Sequence, residues 1–170
     1  HSPEARQVMR TVDGLNVQGI AAAGTLMPRP TETDGREPTK DTAAALTFRD
    51  APSRWMPIVE PSLFDLAFKV RGWQLGNDHD LGFLDLPGAT ERIAAVKHEF
   101  DRIEQDSQVG VPWSWLQELP PTGRNALRFL SLSSTPDLTA RELGAMLDGL
   151  TLPEGVQPWV CISALSRLEY

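Results

Sequence analysis

Apolar positions recur with a helical period in two places. Ile93, Val96, Phe100 and Ile103 fall at the three-and-four spacing of a single helix face. Glu91, Arg92, Lys97, Glu99, Asp101 and Arg102 occupy the remaining faces, with Lys97 and Asp101 one turn apart and able to pair weakly. The second place is residues 138–147, Leu-Thr-Ala-Arg-Glu-Leu-Gly-Ala-Met-Leu. Thr139 and Glu142 have capping-box spacing, so each side chain can satisfy a backbone donor left open at a helix start, and Leu138 and Leu143 flank the box as a hydrophobic staple.

Elsewhere the apolar runs are short. Residues 43–48 and 81–86 read as strands, the latter stopped by Pro87-Gly88. Residues 63–70 read as a strand, with a short helix after Pro61-Ser62 as the alternative. Residues 55–59 are interrupted by Pro57, which limits them to an edge strand or irregular structure. Residues 16–23 form a weakly apolar run, strand or short helix. Residues 27–41 carry three prolines and almost no apolar side chain, the pattern of an exposed loop. Pro120-Pro121 marks a boundary. The expected fold class is therefore α+β. Residues 1–119 form an N-terminal lobe of short strands with one long amphipathic helix, and residues 120–170 a mainly helical module.

Composition narrows the functions. A chain of 170 residues with 41% hydrophobic side chains can build one substantial core or two small lobes. The formal charge of −7 argues against broad nucleic-acid binding, which phosphate neutralisation drives. Residues 61–119 hold five Lys/Arg against ten Asp/Glu, whereas residues 120–170 hold four against five. No run approaches the ~18 apolar residues of a membrane span. Cys161 is the single cysteine, so no internal disulfide forms and an intracellular location is expected. It sits in the apolar run Trp159-Val160-Cys161-Ile162 and reads as a small buried hydrophobe.

Signatures of common chemistries are missing: no Gly-x-Ser-x-Gly elbow, no phosphate loop with Gly-Lys-Ser/Thr, no Gly-x-Gly-x-x-Gly turn. The concentrated set of ligand-type side chains is Asn77-Asp78-His79-Asp80. Asp78, His79 and Asp80 are candidate metal ligands. The same residue types make an ordinary tight turn, here expected to join two strands. His98 and Asp101 share a helix face without an identifiable third partner. No cofactor is expected.

Residues 124–170 resemble the helical core of the winged helix-turn-helix superfamily. The middle helix of that superfamily often reads Leu-Thr-x-x-Glu-Leu-x-x-x-Leu, matched by residues 138–147. Its third helix often ends Leu-x-x-Leu-Glu, matched by Leu165, Leu168 and Glu169. The resemblance covers about a quarter of the chain. It implies a binding protein, a regulator or a subunit of a larger assembly. Such a protein would touch a protein partner, or DNA as the less favoured one, through Gln157, Trp159, Ser163, Ser166 and Arg167. Alternatives are an acidic inhibitor or immunity-type protein that blocks a basic partner, and a metal-dependent enzyme built on residues 77–80. The same stretch also admits a plain α/β domain in which residues 127–132 and 159–163 are strands.

Overall fold

A computed structural model describes residues 3–27, 44–83, 86–118, 127–133 and 138–161. In chain order they form α1 (Pro3–Val17), β1 (Ala22–Leu26), α2 (Ala44–Arg49), α3 (Pro52–Leu66), β2 (Val70–Leu75), α4 (Ala89–Asp101), β3 (Gln108–Ser114), β4 (Phe129–Ser133), α5 (Ala140–Gly149) and β5 (Gln157–Cys161). The five strands make one sheet in the order β1-β2-β3-β4-β5, and every neighbouring pair is parallel. Parallel neighbours need a crossover, and crossovers here are helical where they are described.

All five helices feed one core. Val12 of α1, Ala44, Ala45 and Phe48 of α2, Trp55 and Leu63 of α3, Ile93, Val96 and Phe100 of α4 and the half-buried Met146 of α5 join the same apolar cluster. Sequential strand order with right-handed crossovers puts the helices on a single face of the sheet. From the sheet, Trp73, Leu75, Val109, Val111, Trp113, Leu130 and Leu132 point into this cluster. Phe100 is met edge-on by Trp73 at 6.4 Å and by Trp55 at 6.3 Å, and Trp55 in turn by Phe48 at 5.1 Å. This winding is that of a barrel wall, unlike the doubly wound sheet that carries helices on both faces.

The opposite face has its own small aromatic layer. Register aligns Gln74, Gly110, Phe129 and Gln157 in one row, and Pro112, Ser131 and Trp159 in the next row of the same face. Phe129 and Trp159 stack with ring centroids 3.8 Å apart and planes 12° apart. Their partners beneath are glycines. A Cβ at Gly110 would overlap the Phe129 ring, and a Cβ at Gly72 would sit 3.3 Å from Cη2 of Trp159. A flat sheet would hold β5 about 14 Å from β2, three strand spacings away and beyond the reach of one indole. The sheet is therefore curled, concave on the glycine and aromatic side.

Several expectations are corrected. The fold class is α/β, not α+β, because strands are spread along the whole chain and pair in parallel. The winged helix-turn-helix resemblance fails for the same reason. Its capped middle helix is real, but it is flanked by β4 and β5 where that superfamily requires helices. Thr139 accepts from the Glu142 N–H and Glu142 reaches back to the Thr139 N–H, a complete capping box. The flanking segments are strands because Phe129, Leu130 and Leu132, and Trp159, Val160 and Cys161, put apolar side chains on both faces, as interior parallel strands do. Gln157 and Trp159 thus lie on β5, not on a recognition helix, while Ser163, Ser166 and Arg167 lie outside the described residues. The alternative reading, with strands near 127–132 and 159–163, matches β4 and β5.

Residues 44–49 are helical, not extended, and residues 55–59 lie inside α3. α3 carries Pro52 in its first turn and Pro57 and Pro61 in its interior. Both interior prolines are exposed, so the carbonyls they leave unpaired face water. Residues 82–83 form a turn, and among the described residues no second strand of a hairpin follows Asp80. The periodic helix is α4, with Ile93, Val96 and Phe100 buried as its stripe requires. Lys97 donates to both carboxylate oxygens of Asp101 at 2.9 and 2.7 Å. From residue 28 onward the expected loop 27–41 lies outside the described residues.

Candidate functional site

The carboxyl ends of parallel strands are where open α/β sheets and barrels carry their ligands, because loops there are free to vary above a rigid scaffold. In this chain that edge bears a connected polar cluster. Gln74, near the end of β2, is 6% exposed and donates from Nε2 to Asp78 Oδ1 at 2.8 Å and to the Gly76 carbonyl at 3.0 Å. Ser131 of β4 is fully buried and donates from Oγ to the same Asp78 Oδ1 at 3.0 Å. Cys161, the last residue of β5, places Sγ 3.0 Å from Ser131 Oγ. With the serine proton committed to Asp78, the thiol is the donor in that contact. Four side chains from β2, the turn after it, β4 and β5 thus converge, which the curl of the sheet alone makes possible.

The turn that carries Asp78 is built by its neighbours. Gly76 has φ 94°, a conformation that a side chain would strain, and a Cβ there would sit 2.6 Å from Asp80 Oδ2. Asn77 Oδ1 accepts the His79 N–H at 2.9 Å, an Asx turn. Asp80 is occupied by structure: Oδ2 accepts the Ala44 N–H at 2.6 Å at the start of α2, and Oδ1 accepts the Gly82 N–H at 3.1 Å. It caps α2 from 36 residues away. Residues 77–80 therefore form a turn that leads out of β2, with Asp78 aimed at the cluster, Asp80 at the backbone and His79 exposed. Among the described residues, no three His, Cys, Asp or Glu side chains are grouped to hold a metal ion.

Electrostatics divide the roles. Burial pushes the Asp78 carboxyl up, but hydrogen bonds from Gln74, Cys161 and Ser131 and the nearby charge of His79 outweigh it and bring it below its ordinary 3.8. Asp78 is thus a fixed anion. The Cys161 thiol is pushed above its ordinary 9.0 by burial and by the contact with and charge of Asp78, against a smaller opposing effect from Ser131. A thiol held protonated is a poor nucleophile, and a carboxylate held ionised is a weak general base. Ser131 is too deeply buried to attack a substrate. The arrangement presents a charge; it does not assemble a nucleophile.

One more feature adjoins the cluster. Trp159, half-buried, precedes Cys161 by two residues on the same face. Two shallow depressions lie elsewhere, along α1 beside Gln7, Val8 and Thr11 and beside Arg6, Arg10 and Lys69, away from these groups.

Sequence reasoning singled out Asp78 and Trp159 for separate reasons and missed that they share a face. It missed Gln74 and Ser131 altogether. Their signal was present: each is a polar residue inside an otherwise apolar strand. His98 is exposed on α4. No helix among the described residues is long and apolar enough to cross a membrane. The chain matches no family model, no curated protein and no solved structure.

Proposed function

We propose that this chain is a ligand-binding α/β domain whose site lies at the carboxyl ends of β2, β4 and β5, around Asp78. The observation that carries the reading is the convergence of Gln74 and Ser131 on one oxygen of a partly buried carboxylate. Both bonds go to Oδ1. The reading keeps the expectation of a binding protein but moves its surface from a C-terminal helix to the concave face of the sheet.

The test is a fragment screen read by amide chemical shifts. Bound fragments are expected to perturb residues 76–80, Ser131 and Cys161 together. Perturbations confined to the outer face of α1 or to α5 would refute the assignment.

A further inference from the structure

Resting on that reading, we infer that the ligand is an organic cation: an ammonium or amidinium-type group seated between the Asp78 carboxylate and the aromatic layer. The environment of the partly buried carboxylates bears on Asp78. Four other carboxylates of the described residues have cationic partners: Asp13 with Lys69 at 2.9 Å, Asp50 with Arg54 at 3.3 Å, Glu99 with Arg102 at 2.7 Å and Asp101 with Lys97 at 2.7 Å. Asp80 and the buried Glu104 are engaged by backbone N–H groups, those of Ala44 and Gly82 and that of Phe68. Asp78 is different. Its hydrogen-bond donors are neutral, no Lys or Arg of the described residues pairs with it, and the adjacent His79 acts on it through its charge rather than through a hydrogen bond. Gln74 and Ser131 orient the carboxylate without cancelling its charge.

The surroundings suit an organic cation better than the alternatives. A carboxylate on a partly desolvated concave face attracts a cation more strongly than one on an open surface. Trp159 supplies indole surface on the same face, and a cation beside an aromatic ring gains further attraction from the ring's electron-rich face. A hard metal ion needs several oxygen ligands, whereas Asp80 has both oxygens engaged. A neutral polyol would satisfy hydrogen bonds but leave the charge uncompensated.

The experiment titrates the whole chain with choline, with its uncharged isostere dimethylbutanol and with glucose, following the amides of residues 76–80. The same titrations are run on Asp78→Asn. Asparagine keeps an acceptor oxygen for Gln74 and Ser131, and unchanged amide dispersion confirms that the variant folds. The expected result is saturable binding of choline, weakened at least about tenfold in Asp78→Asn, with dimethylbutanol far weaker than choline. Equal binding of the neutral isostere, choline binding indifferent to Asp78→Asn, or binding of glucose alone would overturn the cation and leave the site standing. Failure of all three probes to move those amides would overturn the site as well.

Discussion

Gly110→Ala tests the concave face most directly. Carbon atoms rest about 3.5–4.0 Å apart, and the new Cβ would fall more than about 1 Å inside that limit against three ring atoms of Phe129. The ring has nowhere to go at low cost. It is 1% exposed and lies 3.8 Å from the Trp159 ring in a near-parallel stack. Relieving the overlap means either breaking the stack, worth about 0.5–1.5 kcal/mol, or straining the backbone of β3 and β4, in the range of about 1–3 kcal/mol for overpacking. A loss of about 1–3 kcal/mol is expected in urea unfolding. The decisive measurement is a double-mutant cycle with Phe129→Ala, which by itself costs about 3–5 kcal/mol. With the ring gone, Gly110→Ala becomes nearly silent, so the double variant is more stable than the sum of the singles by about 1 kcal/mol or more. Additive losses within about 0.5 kcal/mol would refute the claim that Gly110 exists to seat Phe129.

Two further outcomes concern Asp78. A carboxylate with its folded-state pKa depressed contributes stability above its ordinary 3.8 that is lost as pH falls through the lower folded value, so Asp78→Asn should flatten the acid limb of the urea-midpoint profile below that pH; an unchanged limb would count against the Gln74 and Ser131 bonds. Alkylation of Cys161 by iodoacetamide should rise with pH through an inflection above the ordinary thiol value of 9.0, and Asp78→Asn should move that inflection down; an inflection below 9.0 in the unaltered chain would contradict the thiol-donor geometry.

The features legible in the sequence were those that local chemistry decides. The capping box of Thr139 and Glu142 and the stripe of Ile93, Val96 and Phe100 depend on residues within a few positions of one another, and both helices are present. Elements settled by tertiary context were harder. Residues 44–49 are a short apolar run that periodicity cannot sort, and their helix starts on a hydrogen bond to Asp80, far along the chain. Pro57 reads as a breaker, yet α3 carries it because its burden falls on the solvent side. The capped helix resembled a helix-turn-helix because a capping box marks where a helix begins and does not specify the next element of the chain. The site was least legible. Asp78, Ser131 and Cys161 are separated by 53 and 30 residues, and sheet curl, which no local pattern encodes, brings them together.

The reach of Trp159 across to Gly72 also bears on synthesis. A nascent chain that has emerged only through β4 possesses Gln74, Asp78 and Ser131 but neither the indole over Gly72 nor the thiol beside Ser131. Its concave face is uncovered, with Phe129 exposed on one side. The proposed binding surface is thus completed only once β5 emerges, and an intermediate lacking β5 would present a bare aromatic face and an unpaired strand edge, the features that chaperones recognise and aggregation exploits.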